Sequence, residues 1–522
     1  MTAGVQAALA DPDHQDRVLV ERLTDTGEVR DRLTYAQVAE WAGRVRSVLT
    51  AKGHGPRTTV GLVAGNGPEW IVADLALLAT GATEVPVPLA FSADQAASLL
   101  EGVDICLVDE AGAARLMAWG QADKVDVVDI GGALVEEAPR ECAPWDPAGV
   151  SGVVKVIHTS GTTGTPKGVR IRAEGVGALL ESLAEICPDH VFTRYLSLVP
   201  LSLLIEQVTA VYLPIINGGR VVLLPDTVRL LGTAGSRAQD AVEWLARARP
   251  TAAVLPPAVV SALDKEVRES PKAVDEVLGA GPRPFLMCGG APVDADALRR
   301  LDAAGLRIHE GYGLSENSSV VTWNTPGHWR PGTVGRPLPH CEVRLSEESE
   351  LLVRSTSLFA GYTVEDPTSH PVDTEGWLHT GDRARIDEDG FVHLLGRLRN
   401  TIITSHGRNV SPEWVEGRLR SCSGVADAIV LGNGLEHLIA VVVAQEDTEP
   451  EEAALLVENF ATEHLSEIDR PERYIAVSDG REFRERYFTV TGRPRRDRVA
   501  ADFVPIRSAH PTRLLPSGGN TR

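Results

Sequence analysis

The six cysteines of this 522-residue chain form no recognisable pattern, since none of them stands in a CxxC pair. Zinc ribbons and small disulfide-stapled folds place their cysteines at short, regular spacings, so the sequence argues against both classes. Dispersed cysteines are typical of a reducing compartment. The expected location is therefore the cytoplasm.

Basic residues are also in short supply. Lysine and arginine number 51 against 72 aspartates and glutamates, which gives a net charge of −21 at pH 7. Nucleic acids and anionic membranes attract positively charged surfaces, so neither is an expected partner. The balance does not argue against ATP, because a single loop can be positive inside an acidic protein.

Long apolar runs are missing as well. The most apolar stretch, residues 71–91, is interrupted by Asp74, Glu84 and two prolines. A membrane-spanning helix needs about 20 predominantly apolar residues, so we expect no membrane span. Residues 1–16 turn acidic too early for a secretory signal, and we expect no leader peptide there.

Short apolar segments alternate with amphipathic ones along the first three hundred or so residues. Thr34 is placed to cap a helix that continues from it, and Ser92 opens the next capping box with Gln95. Alternating strands and helices predict an α/β fold with a parallel sheet. The predicted strands lie at 59–64, 85–88, 105–108, 125–130, 153–157, 195–200, 220–224, 252–255, 285–288 and 306–309, and further helices at 239–247 and 294–304.

The chain length suggests roughly three folding units at about 150 residues per domain. The pattern of apolar residues and turns changes towards the C-terminus. Residues 333–395 carry short strands and Gly/Pro/Asp turns, which predict a smaller β-rich unit. A further segment, in which Ser411 is the predicted N-cap of the first helix and Pro412 its first residue, has its own alternation. The predicted domains are 1–396 and 397–505, followed by a disordered tail at 506–522.

The densest chemical signal is the stretch His158-Thr-Ser-Gly-Thr-Thr-Gly-Thr-Pro-Lys-Gly168. It follows a predicted buried strand and combines glycines, hydroxyl side chains and Lys167. Glycines let backbone N–H groups approach an anion closely, and a lysine adds positive charge. The pattern predicts a loop that holds a polyphosphate. It is not a Walker A loop, because Gly168 rather than Ser or Thr follows the lysine.

This loop resembles the phosphate loop of the adenylate-forming superfamily, which comprises acyl-CoA synthetases, peptide-synthetase adenylation domains and luciferases. Further stretches resemble other motifs of that superfamily, in its order, over roughly residues 20–505. They are Gly289-Gly-Ala-Pro292, Tyr312-Gly-Leu-Ser-Glu316, His379-Thr-Gly-Asp382, and Gly396-Arg397 followed by Gly407-Arg-Asn-Val-Ser-Pro412. Pro200-Leu-Ser202 with Glu206, and residues 407–416, are most similar to acyl-CoA synthetases.

The resemblance implies a fold and a reaction. The fold is a large N-terminal domain of two α/β subdomains plus a β-barrel-like subdomain, and a small mobile α+β C-terminal domain. The reaction is AMP-forming: a carboxylic acid, a fatty or aryl acid being expected, attacks the α-phosphate of ATP and expels pyrophosphate. A thiol, most often that of CoA, then takes the acyl group from the adenylate. The implied partners are thus ATP, Mg²⁺, a small-molecule acid and CoA or another thiol acceptor.

The resemblance also assigns roles to single residues. Lys167, Glu316 and Arg493 are the expected catalytic residues, and Thr163 and Glu316 the expected Mg²⁺ ligands. Tyr312 is expected to stack on the adenine and Asp382 to accept the ribose hydroxyls. The expected ATP-binding residues are Thr159, Ser160, Gly161, Thr162, Thr163, Gly164, Lys167, Gly289, Gly290, Ala291, Gly311, Tyr312, Gly313, Ser315, Asp382 and Arg397, and those for the thiol acceptor are Ser405, Gly407, Arg408 and Asn409.

Several of these residues have ordinary structural interpretations when taken alone. Gly289 to Pro292 is also a plain strand-to-helix turn, and Asp382 a plain turn aspartate. Glu316 is expected to enter the site after a glycine-containing loop, but it is also an ordinary acidic residue at the start of a helix. Arg397 is also an unremarkable surface arginine.

The sequence departs from the superfamily near its end. Arg493 stands where a Gly-Lys pair usually places the lysine that bridges the substrate carboxylate and the α-phosphate. Guanidinium keeps the charge but is larger and planar. Arg493 either takes over the lysine's role, or adenylation is slow and the adenylate comes from elsewhere, or the acid is small and unusual. Leu203 occupies a position that is often histidine or aromatic beside the acid, and Asn400 the hinge position.

Three functions compete at this point. The first is an AMP-forming acid–thiol ligase. The second is ATP-dependent activation of a small acid such as nitrous acid, for the diazotisation of an aryl amine. The third is a catalytically reduced nucleotide-binding relative, against which the complete loop, Glu316 and Asp382 argue.

Overall fold

The computed structural model describes residues 2–135, 152–159, 167–188, 190–233, 235–270, 272–279, 281–291, 293–364, 371–405, 409–467, 469–489, 492 and 494–505. The chain divides into two compact units. The first unit comprises Met1–Ala291, Ala297–Val343 and Val353–Leu378, and the second comprises Pro292–Asp296, Arg344–Leu352 and His379–Arg522. The domain boundary at residue 396 stays a prediction.

The strands within the described residues are short, and ten of them overlap the individual strand segments that the apolar patterns predict. In chain order they are β1 Val18–Leu23, β2 Val29–Thr34, β3 Thr59–Val63, β4 Thr83–Pro86, β5 Ile105–Val108, β6 Asp126–Asp129, β7 Val153–Thr159, β8 Lys167–Arg172, β9 Tyr195–Ser197, β10 Val221–Leu223, β11 Ala252–Leu255, β12 Phe285–Cys288, β13 Ile308–Leu314, β14 Ser319–Trp323, β15 Arg336–Pro337, β16 Cys341–Leu345, β17 Glu350–Ser355, β18 Leu378–Ile386, β19 Val392–Arg397, β20 Ile402–Ile403, β21 Asn409–Val410, β22 Val425–Leu431, β23 Ile439–Ala444 and β24 Arg473–Ser478.

The α-helices alternate with these strands over most of the chain. They are α1 Thr2–Ala10, α2 Tyr35–Ala51, α3 Pro68–Thr80, α4 Ala93–Leu100, α5 Glu110–Ala118, α6 Ile130–Val135, α7 Ala173–Ile186, α8 Leu204–Glu206, α9 Leu213–Ile216, α10 Ala238–Ala248, α11 Pro257–Glu269, α12 Ala273–Leu278, α13 Ala295–Ala303, α14 Pro412–Arg420, α15 Pro450–His464, α16 Arg481–Tyr487 and α17 Arg496–Phe503. A π-helical segment, Gln207–Tyr212, joins α8 to α9, and short 3₁₀ turns lie at Val191–Thr193, Ser315–Asn317 and Leu398–Asn400.

Two large sheets organise the first unit. One has six strands in the order β6-β5-β3-β4-β7-β8, and the other has nine in the order β15-β14-β13-β12-β11-β9-β10-β1-β2. The inner strands pair in parallel, which confirms the predicted α/β class. The edge strands β8 and β2 are antiparallel, since β8 runs against β7 and β2 against β1. The apolar alternation did not predict these antiparallel edges.

Local sequence signals place several helices as expected. Thr34 and Ser92 each accept a hydrogen bond from the backbone N–H three residues on and complete a capping box with a glutamine, Gln37 and Gln95. Helix α3 is apolar around most of its circumference and is buried from Trp70 to Leu78. A helix of that composition is stable only inside a core.

The second unit contains a three-stranded sheet, β22-β23-β24, with helices on both faces. Successive side chains of a strand point to opposite faces. Ala440 and Val442 accordingly pack in a core with α14 and α15, while Val441 and Val443 pack with α16 and α17. The predicted alternation of strands and helices in this segment is confirmed. Ser411 is the N-cap of α14 as expected, but its hydroxyl makes no capping hydrogen bond.

Strands β16, β17, β18 and β19 form a four-stranded sheet in sequential order, in the region where the turn-rich texture predicts β structure. Within the described residues, no helix combines the length and the apolar character needed to cross a membrane.

Candidate functional site

The predicted phosphate loop connects two antiparallel strands of the first unit. Thr159 at the end of β7 pairs with Lys167 at the start of β8, so the chain enters and leaves the loop at one register position. For Thr159 only the backbone is described. The predicted ligands Ser160, Gly161, Thr162, Thr163 and Gly164 lie outside the described residues.

His158, one residue before this pair, is mostly enclosed by protein. Burial lowers the pKa of its imidazole to about 4. The ring is therefore neutral near pH 7 and does not contribute positive charge to the loop. Lys167 is the cation that the described part of the loop supplies.

The segment 359–363 lies alongside β8 and fixes its position. The N–H of Ala360 donates to the carbonyl of Arg170 at 2.8 Å, and the N–H of Thr363 donates to the carbonyl of Gly168 at 2.8 Å. A Cβ atom on Gly168 would lie 2.7 Å from the Thr363 side chain. A side chain in place of this glycine would therefore force Thr363 to move.

Tyr362 in that segment contacts both charged residues of the predicted phosphate site. Its hydroxyl donates to Oε1 of Glu316 at 2.8 Å, and Nζ of Lys167 lies 5.6 Å from the centroid of its ring. Phe359 packs edge-on against the ring at 4.9 Å, and its N–H donates to the carbonyl of Glu316 at 2.9 Å. The structure therefore brings Lys167 and Glu316 together around one tyrosine.

Sequence reasoning missed Tyr362. The run Phe359-Ala-Gly-Tyr362 sits in a turn-rich region, where an aromatic residue usually indicates core packing. The available signal was its position between two predicted site motifs. That position does not specify contact with either of them.

Glu316 is presented by a strand and a short turn, not by the glycine-containing loop that we expected. Strand β13 continues through Leu314, and Glu316 then lies in the 3₁₀ turn Ser315–Asn317. The turn ends at Ser318, which adopts a left-handed φ of 52° and whose hydroxyl donates to the carbonyl of Ser357 at 2.7 Å. The loop prediction was wrong because glycine-rich sequence can pair as a strand where backbones approach closely.

Close backbone approach is visible within β13 itself. A Cβ atom on Gly313 would lie 1.7 Å from the carbonyl oxygen of Ser319. No other residue fits there without moving β14. Tyr312 is held in the same strand pair, opposite Thr322.

The two predicted adenine-binding motifs lie close together at the carboxyl ends of strands in the nine-stranded sheet. Strands β12 and β13 are parallel, and residues 289–291 follow the carboxyl end of β12. A Cβ atom on Gly289 would lie 3.1 Å from the carbonyl oxygen of Gly311, and Gly290 has a φ of +88°. Ligands of α/β proteins bind outside the carboxyl ends of parallel strands. The structure therefore places both motifs at the end of the sheet where ligands of such folds bind.

Residues 198–203, which follow the carboxyl end of β9, lie next to a buried polar network. The hydroxyl of Tyr195 donates to Oε2 of Glu206 at 2.8 Å and accepts from Thr209 at 2.9 Å. Burial raises the pKa of Glu206 to about 8, although hydrogen bonds from Ser197, Tyr195 and the Leu198 backbone lower it in part. Leu203, between strand and network, is 44% exposed.

In the second unit, Asp382 and Arg397 contact each other. They are register partners in β18 and β19, and Nε of Arg397 lies 2.7 Å from Oδ1 of Asp382. Asp382 is buried and Arg397 is exposed. A buried carboxylate that an arginine orients is suited to accept hydrogen bonds from hydroxyl groups.

The predicted thiol-acceptor residues are only partly described. Ser405 is exposed, and its N–H donates to the carbonyl of Leu435 at 2.8 Å. For Asn409 only the backbone is described. Gly407, Arg408 and the expected catalytic Arg493 lie outside the described residues.

An ion-pair network that sequence reasoning did not name links α14 and α17. Nη2 of Arg496 lies 2.8 Å from Oε2 of the buried Glu416 and 3.2 Å from Oε1 of Glu413. Asn400 donates to the same Glu413 oxygen at 2.6 Å. The network connects the predicted hinge position to the helix that follows Arg493 in sequence.

Among the described residues, no cluster of three or more His, Cys, Asp or Glu side chains is arranged to hold a metal ion. Mg²⁺ in nucleotide sites is usually held by one or two carboxylates together with phosphate oxygens and water. The single carboxylate of Glu316, which shares the partner Tyr362 with Lys167, fits that mode of binding. It does not form a dedicated all-protein metal cage.

Comparisons with known proteins agree with this geometry. Residues 9–363 match the family model described as AMP-binding enzyme. The long-chain-fatty-acid–CoA ligase FadD15 of Mycobacterium bovis is 28% identical over 488 residues, covering 82% of this chain and 80% of that protein.

Two solved structures share the fold. ATP-bound MatB from Rhodopseudomonas palustris superposes with a TM-score of 0.80 at 23% identity, covering 97% of this chain and 99% of that one. O-succinylbenzoate coenzyme A synthetase (MenE) from Bacillus subtilis, in complex with AMP, superposes with a TM-score of 0.75 at 21% identity, covering 95% and 97%.

Proposed function

The chain belongs to the AMP-binding enzyme family, and from this premise we propose that it is an AMP-forming acid ligase that joins a carboxylic acid to CoA. ATP-dependent activation of the acid forms an acyl-adenylate and releases pyrophosphate. The thiol of CoA then displaces AMP to form a thioester. The long-chain-fatty-acid–CoA ligase among the relatives makes a fatty acid the first substrate to test.

The observation that carries the proposal is the grouping of Lys167 and Glu316 around Tyr362. A carboxylate that attacks a phosphate brings two anions together, so the site must neutralise charge and hold the reactants in line. We assign Lys167, with residues 159–164, to the β- and γ-phosphates. We assign Glu316 and Thr163 to Mg²⁺, which supplies positive charge to phosphate oxygens when it is bound.

The nucleoside is assigned to the strand ends described above. Gly289, Gly290 and Ala291 would frame the adenine together with Gly311, Tyr312, Gly313 and Ser315. The closeness of the Gly289 and Gly311 backbones supports this assignment. Asp382 is assigned to the ribose hydroxyls and Arg397 to its orientation, which their contact supports.

The second half-reaction is assigned to the C-terminal part of the chain. We propose residues 397–505 as a mobile domain whose loop at Ser405, Gly407, Arg408 and Asn409 approaches the acyl-adenylate with the thiol. Arg493 is assigned to the bridge between the acid and the α-phosphate. Five cysteines within the described residues are buried and free, which supports the cytoplasm as the place of the reaction.

A pyrophosphate-release screen tests the proposal. The purified chain would be incubated with ATP, Mg²⁺ and single fatty, aryl and short carboxylic acids, with nitrite plus an aryl amine as a separate arm. We expect acid-dependent release of pyrophosphate and AMP, and a thioester on addition of CoA. Release with nitrite alone would support the diazotising alternative, and no release in any arm would support a catalytically reduced relative.

A further inference from the structure

Tyr362 occupies a position that no predicted motif covers, yet it contacts two residues assigned to the phosphates and to Mg²⁺. Its hydroxyl is 2.8 Å from Oε1 of Glu316, and its ring faces Nζ of Lys167 at 5.6 Å. Its backbone forms a β-bridge with Val169 in the strand that Lys167 begins. The residue therefore joins the lysine strand and the glutamate turn through both its backbone and its side chain.

The two side-chain contacts differ in chemistry. The hydroxyl donates to an anion, and a hydrogen bond to a charged group is stronger than one between neutral groups. The ring presents its negative face to a cation within about 6 Å, which is the range of cation–π attraction. A hydroxyl-specific change and a ring-specific change can therefore be separated experimentally.

A carboxylate that binds a metal ion through one or two oxygens gains from a partner that fixes its rotation. Partners of this kind usually contribute 10–100-fold to metal affinity. Glu316 is held at its backbone by Phe359 and at its carboxylate by Tyr362. The segment 359–362 thus fixes both ends of the glutamate.

We propose that Tyr362 is a positioning residue of the nucleotide site: its hydroxyl orients the Glu316 carboxylate for Mg²⁺, and its ring holds Lys167 beside it. This inference rests on the proposed function, because it assigns Mg²⁺·ATP to the same two residues. The hydroxyl of Tyr362 is assigned to the Mg²⁺ dependence of ATP binding, and its ring to the contribution of the lysine charge.

The test is an equilibrium measurement of ATP binding, by dialysis and by thermal shift, at increasing Mg²⁺ concentration. Y362F loses the hydroxyl and keeps the ring, so we expect the Mg²⁺ concentration for half-maximal ATP binding to rise about tenfold. Y362L loses both, and we expect weaker ATP binding at every Mg²⁺ concentration as well. Y362H, which keeps a ring and an N–H donor, should restore part of the Mg²⁺ response and provides a second variant should Y362F fold poorly.

Tyr35 provides the matched control. It is a fully buried tyrosine of the same unit, whose hydroxyl donates to the carbonyls of Gly219 at 2.7 Å and Pro214 at 3.2 Å. Y35F should lower thermal stability and leave the Mg²⁺ midpoint unchanged. In an E316Q background, Y362F should have no further effect on that midpoint, because the two changes remove the same interaction.

The outcomes distinguish the two levels of inference. An unchanged Mg²⁺ midpoint in Y362F, with wild-type ATP binding that depends on Mg²⁺, would overturn the role of Tyr362 and leave the proposed function standing. A wild-type chain that does not bind ATP in the presence of Mg²⁺ would overturn both. An equal shift in Y35F and Y362F would identify the effect as a loss of stability and would also overturn the role.

Discussion

Nζ of Lys155 lies 2.5 Å from Oδ1 of Asp74, and both side chains are completely buried. Glu84 is a second carboxylate partner of the lysine, and the hydroxyl of Tyr212 donates to the same Asp74 oxygen at 2.8 Å. Burial alone would lower the pKa of Lys155, but Asp74 and Glu84 hold it above its ordinary value. Burial and the neighbouring Asp74 raise the pKa of Glu84 well above its usual range, although Lys155 lowers it in part. The cluster joins α3, β4 and β7, the strand that precedes the predicted phosphate loop in sequence.

Removing the lysine should therefore destabilise the first unit strongly. K155M leaves Asp74 buried without its cation, and breaking a buried ion pair in this way usually costs about 3–5 kcal/mol. Urea denaturation of wild type and variant measures the difference. R237A, which breaks an exposed pair with Asp240, is the control and should leave the free energy of unfolding almost unchanged. Equal effects of the two changes would show that the buried cluster contributes no special stability.

Glu206 should make the stability of the chain depend on pH. Its folded-state pKa is about 8, whereas an unfolded glutamate titrates near about 4.3. The stabilising contribution of this carboxyl group is therefore fully present at a pH below its pKa in the unfolded chain. It is lost as the pH rises to about 8, the pKa in the folded chain. Relative to E206Q, wild-type unfolding free energy should fall by at most about 1.4 kcal/mol per pH unit between pH 5 and 8. If the free energies of unfolding of wild type and E206Q changed with pH in the same way, the claim that Glu206 is buried and neutral would be contradicted.

Charge at the phosphate site should control the first half-reaction. K167M should lower the rate of acid-dependent pyrophosphate release by about 10²–10³, because a cation aimed at developing phosphate charge is lost. The free energy of unfolding should change little, since Lys167 is only partly buried. K265M removes an exposed lysine of α11 and should leave both quantities unchanged. A rate for K167M near that of K265M would remove Lys167 from the mechanism.

Arg493 should act in adenylation and not in thioester formation. R493A should slow pyrophosphate release about 10²-fold, while CoA should still react at the wild-type rate with an acyl-adenylate supplied to the protein. R493K keeps the charge and should retain measurable adenylation. A large gain in R493K over an inert wild type would instead favour the catalytically reduced relative. Stopped-flow measurement of each half-reaction separates these results.

The network around Arg496 should stabilise the second unit. R496M leaves the Glu416 carboxylate, which is 3% exposed, without its partner, and should cost about 3 kcal/mol. R498M changes an exposed arginine of the same helix and should have little effect. Hydrogen exchange of α14 and α17 measures the change. Unaltered protection in R496M would mean that apolar packing alone holds these helices.

The sequence predicts much of this fold because its signals are local. The N-cap at Thr34, the capping box at Ser92 and the apolar runs of β5, β11 and β12 lie where the sequence predicts them. The antiparallel partner of β7 was missed because its residues, 167–172, mix charge with apolar character. The extension of β13 through Leu314 was missed because glycines weaken a strand pattern, although close backbone contact requires them here.

The site was predicted unevenly for the same physical reason. Lys167, Glu316 and Asp382 stand in short motifs whose residue types suit the roles proposed for them, and they could be named from sequence. Tyr362 and Arg496 act through contacts with residues 46 or more positions away in sequence. Their own neighbourhoods carry no motif, so only the fold identifies their partners.

The most direct test of the central claim is the fate of ATP when the chain meets its acid. With α-³²P-ATP, Mg²⁺ and a panel of carboxylic acids, labelled AMP and an equal amount of pyrophosphate should appear only with an accepted acid. Addition of CoA should then convert the acyl-adenylate to a thioester. Formation of ADP and phosphate in place of AMP and pyrophosphate, or release that ignores the acid, would contradict the assignment as an AMP-forming acid ligase.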